Sequence, residues 1–419
     1  MLTASDLTFL TQTGPGTPMG ELFRRFWLPA MLPRELPEPD CAPLRLRLLG
    51  EDMVAWRNTD GSIGVMQNAC PHRGASMFFG RNEENGLRCV YHGWKFDSEG
   101  TCVDMPNEPA ESNFKHKITA AAYAAAEYGD VIWVYMGPRR LKPELPKLEW
   151  AMVPEGQRAV HKWFQDCNYA QGMEGDLDTS HVSFLHRVFE PQNDRQRRLT
   201  KSGQAILNAD GSPILTVKET DYGFAYGARR NADDEYYWRV TQFLLPAYSM
   251  IASATPERSS GSWLPVDDAH CMGWRFNWNF ATPYPPERRG GQGSYPRVDE
   301  QFRAEATRDN DYQIDRQTQK TFNYTGILNI REQDTAMTET MGAVMDRTRE
   351  HLGTSDMAII LYRRQLMRLA RQLQQGVEPF AATHGDAYRV RSLDVVDAAG
   401  EFDAFLAKYE RELLQSVKG

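Results

Sequence analysis

The apolar positions of this chain change period several times, and each change marks an element. Behind a Gly/Pro-rich turn at 14–18, Leu22, Phe23, Phe26 and Trp27 fall at helical spacing. They predict a short amphipathic helix over 19–27 that packs on a core and is stopped by Pro29 and Pro33. From Pro43 the period becomes two. Leu44-Arg45-Leu46-Arg47-Leu48 alternates, and Met53–Arg57 and Ile63–Met66 follow as further strands. Leu87–Val90 predicts another, Lys95–Asp97 and Cys102–Val103 a hairpin, and Val131–Tyr135 a buried strand. Beyond Pro138, Pro143 and Pro146, Tyr236–Phe243 and Met272–Trp278 read as strands, and Pro283–Tyr295 as a Pro/Gly loop. Residues 355–376 predict a long helix with Ile359, Ile360, Leu361, Leu366 and Leu369 on its apolar positions, and 401–417 a final helix. The expected organisation is an α+β chain. It has an N-terminal helical arm (1–39), a small all-β domain (40–146) and a larger C-terminal domain (147–419).

Two loops of the β domain carry paired metal-ligand residues: Cys70-Pro71-His72-Arg73-Gly74 and Cys89-Val90-Tyr91-His92-Gly93-Trp94. Two Cys and two His suit a Rieske [2Fe–2S] cluster, in which the thiolates hold one iron and the imidazoles the other. A tetrahedral Cys2His2 zinc site is the competing reading. The remaining cysteines, at 41, 102, 167 and 271, show no paired spacing, so a disulfide framework is not expected.

Composition then excludes several classes. The net charge is −8, and Lys and Arg are scattered, which leaves no nucleic-acid footprint. No apolar run approaches a membrane span, and the first residues lack the regions of a signal peptide. A soluble cytoplasmic protein is expected.

The stretch Asn168–His186 holds a second constellation. Glu174, Asp178 and His181 fall at i, i+4 and i+7, one face if the helix continues, and His186 lies beyond a break. Two nearby imidazoles and a distant carboxylate build a 2-His-1-carboxylate triad with open positions for oxygen on Fe(II). The bland reading is a polar helix face with two ordinary histidines.

With both motifs present, the chain resembles the oxygenase (alpha) component of the Rieske non-haem iron aromatic-ring oxygenases over nearly its whole length. Gly20–Trp27, Trp263-Leu264-Pro265-Val266-Asp267-Asp268, and Arg331-Glu332-Gln333-Asp334 followed by Glu339-Thr340-Met341-Gly342 are similar to the phthalate dioxygenase-like and aromatic O-demethylase branch. The resemblance implies a catalytic domain with an antiparallel sheet flanked by helices, of helix-grip type. It implies cluster ligands Cys70, His72, Cys89 and His92, and mononuclear iron ligands His181, His186 and Asp334. Glu339 competes for the third place, and its bland reading is a solvated or ion-paired carboxylate. Asp178 is implied to bridge His181 to a cluster His92 across a subunit interface in a homotrimer or a multiple of trimers. Electrons are implied to come from NAD(P)H through a separate flavin/iron–sulfur reductase, since no Gly-x-Gly-x-x-Gly element follows a strand here. O2 and an aromatic acid are the implied substrates, with ring hydroxylation or O-demethylation as the reaction.

An aromatic carboxylate wants the guanidinium fork. Arg229, Arg230, Arg239 and Arg275 are the candidates, each also open to ordinary salt bridging. Thr179 and Ser180 lie beside His181, and Tyr237, Phe243 and Trp274 offer either pocket walls or core. Two other classes compete. A Rieske electron carrier would be shorter and lack the second constellation. A zinc-stabilised binding protein would contain no iron.

Overall fold

The alternating Leu/Arg stretch at 44–48 is an edge strand in the computed structural model, which describes residues 2–189, 204–253, 255–285 and 295–415. It belongs to a six-stranded antiparallel sheet. The order is β1 (Trp27–Met31), β10 (Val131–Tyr135), β9 (Ala122–Tyr128), β4 (Ile63–Gln67), β3 (Glu51–Arg57) and β2 (Leu44–Leu48). A second, four-stranded sheet of short strands runs β5 (Arg81–Asn82), β6 (Leu87–Arg88), β7 (Lys95–Phe96) and β8 (Cys102–Asp104). The first Cys/His loop joins β4 to β5, and the second joins β6 to β7.

Two elements here differ from the sequence reading. The arm is not helical throughout: its helix ends at Phe23, and Trp27–Met31 pairs with β10. Pro29 is tolerated because β1 is an edge strand, paired on one side only, and the register shifts just after it. β9 was not expected, because its run of alanines carries no strand propensity. Pairing to β10 and β4 on its two sides supplies what the residues do not.

The C-terminal unit is built on an eight-stranded sheet. Its order is β11 (Arg158–Gln165), β17 (Cys271–Asn279), β16 (Glu257–Pro265), β15 (Tyr248–Ile251), β14 (Glu235–Leu244), β13 (Gly223–Ala232) and β12 (Ile214–Thr220), with β18 (Leu393–Asp397) beside β14. Alternation along β14 sorts its two faces. Trp238 stacks on Phe402 of a short helix, Phe402–Lys408. On the opposite face, Phe243 meets Tyr362 of the long helix Met357–Gln374 edge-on at 5.1 Å. That same face carries the helix Tyr169–Leu177, because the Tyr226 hydroxyl donates to the Leu177 carbonyl at 2.9 Å. The approach of helix to sheet is close: a Cβ on Gly261 would come within 2.0 Å of the Asp176 carboxylate.

The long helix appears within the expected 355–376. The final helix is shorter than expected, since Lys408 and Tyr409 at its end are drawn to Asp397. Of the expected Pro283–Tyr295 loop, 286–294 lie outside the described residues, as do 416–417 of the final helix. One core runs through both units. Trp133 of β10 stacks on Trp150 at 5.6 Å, and Trp150 stacks on Phe276 of β17 at 3.9 Å.

Candidate metal centres

The two Cys/His loops share one backbone design. Gly74 N–H donates to the Cys70 carbonyl, and Gly93 N–H to the Cys89 carbonyl, each at 2.9 Å. Cys70 and Cys89 in turn donate to Ala75 and Trp94, each at 2.8 Å. Both glycines sit at positive φ, +77° and +81°, which lets the chain turn back without a Cβ clash. The design sends each Cys inward and each His outward. Both thiols are buried and lie side by side, and burial followed by Cys89 pushes the Cys70 thiol up to about 11. The imidazoles meet at their Nδ1 atoms, 3.1 Å apart, and Trp94 stacks on His72 at 4.4 Å.

The donors thus fall into a sulfur pair and a nitrogen pair. Among the described residues, no three of these four donor atoms lie within 4.8 Å of one another. A single zinc ion would draw all four to within about 4 Å. Two irons bridged by sulfide fit the two pairs instead.

The second centre forms where the Tyr169–Leu177 helix ends. Asp178 leaves the helix at φ −77°, ψ 113°, and its Oδ1 accepts from Ser180 N–H (2.7 Å) and His181 N–H (3.3 Å). That turn starts a single 3-10 turn, His181–Ser183, which carries the chain round to His186. The third side chain comes from the helix Ile330–Thr340, started by the Asn329 side chain. His181, His186 and Asp334 offer donor atoms that all lie within 4.8 Å of one another. Nε2 of His181 is 3.1 Å from Nε2 of His186, and Asp334 Oδ1 is 3.1 Å from the latter and 3.7 Å from the former.

The far side of each ring is also held. Asp178 Oδ2 faces His181 Nδ1 at 3.6 Å, and Gln333 Oε1 faces His186 Nδ1 at 2.8 Å. Burial alone would lower the His181 pKa, but its bond to Asp178 and the Asp334 charge outweigh burial and raise it. Burial alone would raise Asp334, but His186 and Arg331 outweigh it and hold the carboxyl far below the carboxylate range.

Two expected candidates fall elsewhere. Glu174 does not share a face with Asp178 and His181, because the helix ends before them. It is buried between Arg347 (2.9 Å) and Arg363 (2.7 Å). Glu339 is neither a member of the triad nor solvated. Tyr312 hydroxyl and Asp166 N–H both donate to it, at 2.7 and 2.9 Å. The roles of Gln333 and Arg331 were not read from the sequence, although an Arg three residues before an Asp on one helix is a legible pair.

Residues 26–122 match the Rieske [2Fe-2S] domain, and residues 134–411 match a family described as LigXa C-terminal domain like. The chain is 38% identical over 412 residues to the 3-chlorobenzoate-3,4-dioxygenase oxygenase subunit of Comamonas testosteroni, covering 93% of each. It is 37% identical to the phthalate 4,5-dioxygenase oxygenase subunit of Pseudomonas putida, over 90% of this chain and 88% of that one. The chain belongs to the Rieske oxygenase family. A third relative, the 5,5'-dehydrodivanillate O-demethylase oxygenase subunit of a Sphingobium species, is 33% identical over 91% of this chain and 83% of its own. This Rieske oxygenase component therefore uses a [2Fe–2S] cluster and a mononuclear iron, and the two donor sets fit these groups.

The sheet face of the Rieske oxygenase that meets the Tyr169–Leu177 helix sorts the four candidate arginines. Arg229 points to the other face, bonded to the Gly400 carbonyl and set over Tyr236. Arg275 is engaged by Asp176 at 3.1 Å. Arg230 is only 1% exposed and donates to the carbonyls of Asp210 and Thr179, both at 2.9 Å, while its Nη1 has no partner. Arg239, on the same face, has a buried Nε without a partner. Among the described residues neither Arg230 nor Arg239 pairs with a carboxylate. Burial first, and then the Arg239 charge, lower the Arg230 pKa to about 10. The hydroxyls of Thr179 and Ser180 are likewise buried without partners among the described residues. No described helix is long and apolar enough to cross a membrane.

Proposed function

We propose that this chain is the oxygenase component that hydroxylates the ring of an aromatic carboxylate, phthalate-like or a substituted benzoate. One observation carries the substrate class. Among the described residues Arg230 is a buried cation without a carboxylate partner, beside Arg239 and bonded to Thr179 two residues from His181. A buried charge left unpaired is costly, and an anionic substrate would relieve it. The relatives named for chlorobenzoate and phthalate act on acids of that kind. The O-demethylase relative supports O-demethylation of a methoxylated aromatic acid as the second reading.

In this reading Cys70, Cys89, His72 and His92 hold the cluster, and His181, His186 and Asp334 hold the mononuclear iron. Once bound, the cluster supplies single electrons and the iron supplies reductive activation of dioxygen. The chain's own residues do the rest. Asp178 and Gln333 fix the two imidazoles so that each Nε2 keeps its lone pair inward. Arg230 and Arg239 hold the substrate carboxylate and so set which ring carbon faces His181 and His186.

Two groups of exposed apolar side chains support a ring-shaped assembly. Phe79, Val90 and Tyr91 flank the cluster loops, and Phe184, Tyr324, Leu328 and Ile330 flank the second centre in sequence. Distinct patches of this kind suit head-to-tail contacts that close into a ring. Asp178, its side chain 29% exposed, would then reach His92 of the partner subunit. A separate flavin/iron–sulfur reductase delivers electrons from NAD(P)H. The reading places the chain in the cytoplasm, where its six unpaired cysteines stay reduced.

Oxygen uptake with such a reductase, across benzoates, phthalates and methoxybenzoates and their neutral amides, tests the reading. Uptake coupled to product for an acid and not for its amide supports it. Equal turnover of the amide overturns the substrate class. Formaldehyde among the products selects the second reading.

A further inference from the structure

The two oxygens of Asp334 have different neighbours. Oδ1 faces both imidazoles, while Oδ2 is 3.1 Å from Arg331 Nη1, one helical turn earlier. Arg331 is in turn held from behind, since its Nη1 also lies 3.5 Å from Asp176 Oδ1. Asp176 is fixed by the sheet. It accepts from Ser249 Oγ (2.7 Å), Trp263 Nε1 (3.0 Å) and Arg275 Nη2 (3.1 Å), and its side chain is 5% exposed. Alternating charges therefore run Arg275–Asp176–Arg331–Asp334, from the β17 side of the sheet to the metal-facing oxygen.

We propose that Arg331, braced by Asp176, is a positioning residue that confines Asp334 to one oxygen toward the mononuclear iron. This rests on the reading that His181, His186 and Asp334 hold that iron. With both oxygens free, the carboxylate would chelate and fill a position that a 2-His-1-carboxylate site keeps open. With Oδ2 claimed by a guanidinium, it cannot chelate without breaking a half-buried ion pair. The same guanidinium offsets the carboxylate charge, so the iron is bound less tightly than the three ligands alone would hold it.

The test compares the iron-loaded full chain with Arg331→Met, Arg331→Lys and Asp334→Ala. Mononuclear Fe(II) affinity is read by chelator competition, and the ligand field by the electron paramagnetic resonance of its nitric oxide adduct. Arg331→Met is expected to bind Fe(II) about tenfold more tightly, as removal of a neighbouring cation implies. Its adduct spectrum should change as the second oxygen engages. Arg331→Lys keeps the ion pair and should move neither readout. If Arg331→Met leaves both unchanged, or weakens iron binding, the positioning role is overturned. If the parent holds no iron beyond the cluster, or Asp334→Ala keeps it, the ligand reading itself fails and takes the inference with it.

Discussion

Gln333 fixes which nitrogen of His186 can bind a metal. The Gln333 amide nitrogen donates to the Ile327 carbonyl at 2.8 Å, so its oxygen is the atom 2.8 Å from His186 Nδ1. That oxygen only accepts, so Nδ1 carries the proton and Nε2 keeps the lone pair. Gln333→Leu should weaken mononuclear iron binding by about 10- to 100-fold, the usual cost of losing such a support. Iron-to-sulfide stoichiometry after dialysis checks this, with the cluster spectrum unchanged.

Asp178 has a different duty, since its Oδ1 is already bonded to two backbone N–H groups and Oδ2 alone faces the ring. Asp178→Asn should keep both metal centres and lose most turnover, because the proposed route from the cluster would be broken. Single-turnover reoxidation of the reduced cluster, with substrate and O2 present, should slow by orders of magnitude. Near-parent reoxidation would remove the bridging role.

Among the described residues Arg239 Nε is buried without a hydrogen-bond partner, so its loss removes no bond through Nε from the sheet. Arg239→Met should raise KM for an aromatic acid by about 10- to 100-fold, the worth of one charged hydrogen bond. KM for a neutral analogue should be unchanged. Steady-state oxygen uptake measures both.

Glu174 lies between two buried guanidiniums, and Glu174→Gln should cost about 3–5 kcal/mol of stability by leaving Arg347 without its anion, while Arg363 keeps Glu350. Burial alone would raise its pKa, but the charges of Arg347 and Arg363 outweigh it and hold it below the ordinary glutamate value. Its stabilisation is therefore present above that ordinary value and is lost as pH falls through the lowered one. Urea midpoints of parent and variant should converge in acid and separate toward neutral pH.

Much of the candidate site was legible because its candidate ligands are rare residue types at short spacing. Cys70/His72, Cys89/His92 and His181/His186 each sit within one loop, so local order carries them. Asp334 comes from a helix far along the chain and was reachable only through resemblance. Gln333 was named as a neighbour, but its role depends on a contact that only folding creates. Arg229 and Arg230 are adjacent, and strand register alone decides which faces the Tyr169–Leu177 helix. Several catalytic strands were missed for a related reason. β16 reads Arg258-Ser259-Ser260-Gly261-Ser262, a loop-like polar run, yet it is a largely buried central strand. Its small residues leave room for Asp176 and the helix above it.

The Trp133–Trp150–Phe276 stack ties the cluster-bearing unit to the catalytic sheet through overlapping rings rather than through a linker. A hinge between them would have to unpack the Trp133 and Trp150 indoles, stacked at 5.6 Å. The cluster cannot swing toward its acceptor as a tethered head could. In the proposed assembly, electron delivery is then a matter of fixed spacing, and its rate should not depend on solvent viscosity.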